Sequence, residues 1–425
     1  MTRSPSASAT GAGHRSIPAL NGLRRRWRAL DRVQRGLLLL LLLRWIIDAA
    51  FLLNVLPLAM RSGWHLHQGG DNAEIFELAR SIVIGAPEES VVGLGQAIVM
   101  MPWIALFNAY LYPDIAAPMS LFDGFLLGGL SVLLVGALAR TLTRDGRTAL
   151  GAAAVWAVLP LVAYFGFFWH PHAEILASTT VPKVAWLNGL SDGPTVFILM
   201  IATLLLARVM DEREIPFGRS LAVGLLLGLA LMWRLQLAPM VAFLLLYVLV
   251  AHGWRAFAAA LGGALIGYLP QAAYNMSAFG LPFTAGYISY GDIVQYDGTF
   301  KRPLSDILLS LPFHPVNPLS QVVYFVGRRP WLLVPLIAGL AVGAAVFIAL
   351  WRERGWRTVA LLLGAPLAYQ LPIMATDVFR EDAIRLSMPL IPGLIIAAVY
   401  VVLLIVPRLS QLVPSALRGD AAHKE

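Results

Sequence analysis

The sequence has no cysteine, and only 13% of its 425 residues are charged. The first absence excludes disulfides, thiolate metal sites and cysteine nucleophiles, and is compatible with an oxidising compartment. The second is about half the roughly 25% usual for a soluble domain. Together with 58% hydrophobic residues and a mean hydropathy of +0.72, it implies one polytopic membrane domain. No basic domain is left over to carry the net charge of +8 onto nucleic acid, because the basic residues sit between hydrophobic segments. A small-residue cleavage site is also lacking after the Arg-rich N-terminal tail. LLLLLLLRWIIDAAFLLNVLPLAM is therefore expected to be a retained first span, with the preceding arginines on the cytoplasmic side. Finally, the two halves show no internal repeat of the kind that builds inverted-repeat carriers.

What is present is a series of apolar runs. A bilayer core needs about 20 mostly apolar residues per helix. On that rule ten spans are expected: Gly36–Leu58, Pro118–Leu138, Leu150–Phe168, Thr195–Arg208, Leu221–Trp233, Leu235–Val250, Ala258–Tyr274, Pro330–Leu350, Val359–Met374 and Ala383–Val406. The segment Gly95–Leu111 is ambiguous by hydropathy, and charge resolves it. If it does not cross, the Arg-rich loops ARTLTRDGRT, RVMDEREIPFGR, HGWRAF and WRERGWR all face the cytoplasm with both termini. The expected plan is a cytoplasmic tail 1–35, a membrane domain 36–406 and a cytoplasmic tail 407–425. Three outer segments are expected at 59–117, 169–194 and 275–329. The fold class is thus all-α, with about ten transmembrane helices and juxtamembrane helices on the outer face.

One outer segment, QGGDNAEIFELARSIVIG (68–85), places Asp71, Glu74 and Glu77 close together in a chain that otherwise avoids charge. The glycine pair gives a turn, Asp71 or Asn72 can cap the helix that follows, and Glu74 and Glu77 suit its first turns. Ile75, Leu78, Ala79 and Ile82 recur at helical spacing, as expected of a helix lying on the membrane. That account needs no function. A functional one comes from position: directly after the first span, at the surface where a lipid-linked substrate presents its headgroup, a carboxylate can serve as general base. Asp71 is the favoured candidate, because a turn residue can project into a cavity while the glutamates point along the helix.

These residues also carry a resemblance. GDNAEIFELARSIVIG followed by GQAIVMMPWIALF resembles the paired motifs "GDxxxYxxLARSLxxG" and "GxxxLxxPxxALF" of the bacterial glycosyltransferase-C superfamily. These are membrane enzymes that take sugars from polyprenyl phosphates, among them protein O-mannosyltransferases and the lipid A aminoarabinose transferase. Phe76 stands where the family often has Tyr. Further matches run along the chain in the family's order: GLLLGLALMWRLQLAPMVAFLLL, YLPQAAYNMSAFGLPFTAGY, AEILAS and REDAIRLSMPLIPGL. AEILAS lacks the usual proline, having His172 and Ala173 before Glu174. The resemblance implies the family's fold and donor class, and it implies that Asp71 is the catalytic base.

The remaining candidates fit such chemistry. Arg234 interrupts an apolar stretch between two short spans, while Arg380 and Arg385 flank the entry to the last span on the same side. A guanidinium fork suits a phosphate and can neutralise it as it leaves; snorkelling or local ion pairing is the alternative. Arg44 and Asp48, four apart inside the first span, are expected to pair structurally. Glu74, Glu174, Tyr274, Asn275 and Tyr287 are candidates for positioning the acceptor or sugar. His170 and His172, with His65 and His67, form a weaker constellation for a metal. No cofactor is expected to be required, since arginines can meet the leaving group's charge; a divalent metal is the less favoured reading.

The expected activity is transfer of a sugar from a polyprenyl-phosphate donor to an acceptor hydroxyl on a glycan, lipid or protein. It would run with inversion on the outer face of the cytoplasmic membrane. The partners are then the donor, the acceptor and membrane lipid, without nucleic acid. The alternatives are a transporter or flippase of a lipid-linked sugar, a non-catalytic scaffold of the same fold, and a ligase using a diphosphate donor.

Overall fold

The computed structural model describes residues 29–57, 71–87, 90, 92–169, 171–280, 282–283, 333–374 and 383–412. All regular structure among them is helical. Helix α1 (Arg32–Leu52) opens with a reciprocal cap: Asp31 Oδ1 accepts from the Gln34 amide at 2.7 Å, and Gln34 Oε1 accepts from the Asp31 amide at 2.9 Å. Two short helices follow, α2 (Asp71–Val83) and α3 (Leu94–Phe107). The long α4 (Tyr112–Thr143) comes next, then α5 (Gly146–Gly166), α6 (Ala173–Ala185) and α7 (Asp192–Val209). Helices α8 (Phe217–Trp233), α9 (Leu235–His252) and α10 (Trp254–Phe279) run nearly without interruption. The C-terminal part holds α11 (Leu333–Arg354), α12 (356–374), the short α13 (Ala383–Leu386) and α14 (Ile391–Leu412).

Helix falls in every one of the ten expected apolar segments. Among the described residues five helices are long and apolar enough to cross a membrane: α4, α5, α7, α9 and α10. The surfaces of α1, α5, α9 and α10 agree with such a solvent. Leu39, Ile46, Val162, Leu246, Leu265 and Leu269 each expose more than half of their area, an apolar belt that water would penalise and lipid would not. Helix α3 covers most of the ambiguous segment. Its 14 residues rise about 21 Å, short of a hydrocarbon core of about 30 Å.

Helix α2 differs from expectation in what it covers. Ile75, Leu78 and Ala79 are at most 1% exposed; they pack with Ala97, Met100 and Ile104 of α3 instead of facing a membrane surface. The reason is that α3 offers an apolar partner face alongside, so the amphipathic stripe is consumed inside the protein. Glu74 and Glu77 remain exposed on the opposite side.

The two ends of the helix assembly differ in chemistry. At one end, the loops after α4, α7, α9 and α11 carry the ion pairs Arg140–Asp31, Arg144–Asp211 and Arg219–Glu212. There Arg357 also donates to the Met210 carbonyl and, at 3.2 Å, to the Ala251 carbonyl, closing the C-termini of α7 and α9 together. The starts of α2 and α7, the break between α8 and α9, and α13 lie at the other end.

Within the assembly, Arg44 and Asp48 pair as expected at 2.9–3.0 Å, with both side chains buried. Arg44 also donates to the carbonyls of Trp156 on α5, at 3.5 Å, and Val184 on α6, at 3.4 Å. Helix α4 passes through a π-helical stretch, Ser120–Gly128. One carbonyl loosened there, that of Phe125, is taken by Trp45 Nε1 at 2.7 Å. Helices α8 and α10 form the closest pair. A Cβ at Gly224 or Gly228 would run into the carbonyl oxygens of Ala260 or Ala264, so those backbones touch only because the glycines have no side chain.

Gly224→Leu is therefore expected to destabilise the protein by about 3 kcal/mol or more, since backbone carbonyls cannot step aside. Gly262→Ala, on the same helix pair but with nothing within 4 Å of the added carbon, is expected to be neutral or to gain up to about 1 kcal/mol. Thermal unfolding of the detergent-purified protein measures both, and similar melting temperatures would refute the close packing.

Candidate functional site

Four charged side chains from distant parts of the chain meet at the second end. Asp71 is the first residue of α2 and Asp192 the first of α7, so both carboxylates sit where the helix dipole favours negative charge. Arg234 is the extended residue (φ −149°, ψ 103°) that breaks the helical run between α8 and α9. Arg385 lies on α13, which packs on α6.

Arg385 bridges the two acids. Its Nε donates to Asp192 Oδ2 at 2.7 Å, and its Nη2 donates to Asp71 Oδ2. Arg234 Nη1 forms an ion pair with the other oxygen of Asp192, Oδ1. Asp192 is thus held on both oxygens by two different arginines. Burial grades across the cluster: the side chain of Asp192 is 5% exposed, Arg234 9%, Arg385 13% and Asp71 24%. The hydroxyl of Tyr369, on α12, is within electrostatic reach of both arginines. It is 1% exposed and has no hydrogen-bond partner among the described residues.

A polar hub beneath the cluster fixes its backbone. Gln96 of α3 is fully buried. Its Nε2 donates to Asp123 Oδ2 at 2.8 Å and to the Gly189 carbonyl at 3.2 Å, while its Oε1 accepts from Trp233 Nε1 at 3.0 Å. Gly189 lies three residues before Asp192, and Trp233 immediately precedes Arg234. One amide side chain therefore ties both flanks of the Asp192–Arg234 pair to the π-helical stretch of α4. Two glycines permit the fit: a Cβ at Gly93 would lie 2.6 Å from the Trp233 carbonyl oxygen, and one at Gly95 would overlap the Trp233 ring. The start of α3 is held from the other side by Gln271, whose Oε1 accepts from the Leu94 amide at 2.7 Å.

Three residues expected at the site, Asp71, Arg234 and Arg385, come together, although they span more than 300 positions. The Asp71 carboxylate goes to Arg385. Other expected residues lie apart. Glu74 and Glu174 are exposed, and the second carboxylate at the arginines is Asp192, not Glu174. Tyr274 and Asn275 belong to the last turns of α10, not to an outer loop, and both are buried. Asn275 accepts from Gln271 Nε2 at 2.8 Å and donates to the Pro282 carbonyl at 3.1 Å, which makes it part of the brace under α3. Both residues thus contribute to the packing at this end of α10. Arg380, Tyr287, His170, His65 and His67 lie outside the described residues. His172 is exposed, and among the described residues no three His, Asp or Glu side chains gather as a ligand set.

Sequence reasoning missed Asp192, Gln96 and Asp123. The signal for Asp123 was legible: a single acid in the apolar run SLFDGFLLG is costly enough to demand a reason. Asp192 was hidden because SDGP at a helix start also reads as ordinary capping.

No family model matches the chain, and no curated protein or solved structure matches it.

Asp192→Asn is expected to cost about 3–5 kcal/mol of stability, because it strips the shared counter-charge from the buried Arg234 and the partly buried Arg385. Asp71→Asn is expected to cost about 1 kcal/mol or less, since that pair is partly screened by solvent. Thermal unfolding of both variants checks the ranking, and an equal loss would contradict the proposed role of Asp192 as the anchor.

Proposed function

We propose that the protein is an integral-membrane glycosyltransferase of the C fold. In this reading it moves a sugar from a polyprenyl-phosphate donor to an acceptor hydroxyl on the outer face of the cytoplasmic membrane. The observation that carries the proposal is the convergence of Asp71, Arg385, Asp192 and Arg234 at one helix-terminal end of an apolar helical protein. Asp71 on Arg385, joined through Asp192 to Arg234, combines a base with a phosphate-binding pair. The motif resemblance to the glycosyltransferase-C superfamily supports the same assignment.

In the proposed reaction the donor's polyprenyl tail lies among the helices and its phosphate meets Arg385 and Arg234. The acceptor oxygen attacks the anomeric carbon while Asp71 takes the hydroxyl proton. The bond from that carbon to the phosphate oxygen breaks, and its electron pair leaves with the polyprenyl phosphate. Attack opposite the leaving group inverts the centre. The arginines stabilise charge as it develops on the phosphate, which lets the chain's own residues serve without a metal.

The reading places ten helices across the membrane with both termini inside, and α2 and α3 at the outer surface. The Arg-bearing loops at the end opposite the site support this orientation. A carrier is disfavoured because the acid and the arginines gather at helix ends and not at mid-membrane breaks.

The test is turnover of short-chain polyprenyl-phosphate sugars, followed as release of polyprenyl phosphate with membrane extract as acceptor. Wild type is expected to turn over, and folded Asp71→Asn to lose about 100-fold or more. Equal rates would remove Asp71 as the base. The cysteine-free chain also allows the orientation to be read directly. Glu77→Cys is expected to react with an impermeant maleimide added outside cells, and Glu214→Cys only after permeabilisation; the reverse would invert the topology.

A further inference from the structure

The way Arg385 is shared suggests how the site is controlled, an inference that rests on the glycosyltransferase reading above. Arg385 engages Asp192 through Nε and Asp71 through Nη2. These two contacts are unequal. Asp192 is 5% exposed and is also bound by Arg234, whereas Asp71 is 24% exposed and sits on a separate short helix. An incoming phosphate would compete for the same guanidinium, and the contact most easily exchanged is the more exposed one, to Asp71.

We propose that Arg385 is a charge-following latch: it masks Asp71 in the resting protein and exchanges that carboxylate for the donor phosphate. Asp192 is the positioning residue that keeps the guanidinium in place during the exchange. Donor binding then uncovers the base, and donor binding precedes effective acceptor activation. Charge bookkeeping favours the same direction through the reaction. A polyprenyl-phosphate sugar is a phosphodiester monoanion, and its product is a phosphomonoester able to carry a second negative charge. As Asp71 takes the acceptor proton it becomes neutral, while the leaving phosphate gains the electron pair. Negative charge therefore passes from Asp71 to the phosphate, and Arg385, between them, follows it. Release of the product and loss of the proton from Asp71 restore the resting pair.

The latch can be separated from the phosphate reading by binding alone. The probe is farnesyl phosphate, titrated onto the full detergent-purified chain, with farnesol and inorganic phosphate as comparisons. Wild type is expected to bind farnesyl phosphate more tightly than either comparison. Asp71→Asn is expected to bind it about tenfold tighter than wild type, the low end for a close charge pair. In the Arg385→Gln background the same change at Asp71 is expected to have no effect. A second measurement needs no variant: farnesyl phosphate should raise the carbodiimide labelling of Asp71 in wild type, read by mass spectrometry, while farnesol should not. If Arg385→Gln weakens binding but Asp71→Asn does not tighten it and the labelling is unchanged, the latch is overturned and the phosphate site stands. If binding is the same in wild type and in the Arg234→Gln, Arg385→Gln double variant, the phosphate reading falls and the latch with it. Equal binding of inorganic phosphate would overturn the assignment to a lipid headgroup.

Discussion

A carboxylate held on both oxygens by two arginines is the interaction on which the arrangement of this end of the protein depends. Asp192 alone joins the start of α7, the break between α8 and α9, and the short helix ahead of α14. In a region this buried, such charges persist only if each has its counterpart in place. The ion pairs therefore act as a constraint more than as a source of net stability. They permit one arrangement of three chain segments, and Arg385 then extends the constraint to a fourth, the start of α2.

The constraint is reinforced from below by uncharged groups. Gln96 spends its amide on Asp123, Gly189 and Trp233, thereby setting the backbone on either side of the Asp192–Arg234 pair. Glycines 93 and 95 let α3 lie against Trp233, and Gln271 secures the Leu94 amide. The motif that reads GLGQ at the head of α3 is thus architectural: it holds the floor under the charged residues. The same division explains Asn275, whose hydrogen bonds are all structural among those described here.

For the proposed chemistry, the consequence is that base and phosphate-binding groups are not independent parts. The arginine that would receive the donor also holds the acid that would receive the acceptor proton. In such an arrangement, affinity for donor and reactivity towards acceptor are coupled through one guanidinium. A site of this kind can bind its lipid-linked donor without exposing an active base beforehand, which limits loss of the activated sugar to water.

Much of the architecture could be read from the chain itself. Apolar runs gave the helices, the Arg-bearing loops gave a common end, and the charge pattern argued that Gly95–Leu111, where a helix of 14 residues forms, does not cross. Residues whose presence in apolar surroundings is costly, Asp71, Arg234 and Arg385, announced themselves because water-loving groups there need a reason. What sequence could not decide was which of them meet, and through what. The fate of the α2 stripe, consumed by α3 and not by lipid, depends on a neighbour that happens to match it. Asp192 looks like any acid at a helix start until two arginines arrive from 42 and 193 positions away. Composition and periodicity report the solvent that each segment prefers, and that is a local property. The pairing of charges is a property of distance in space, and only the packed helices set those distances.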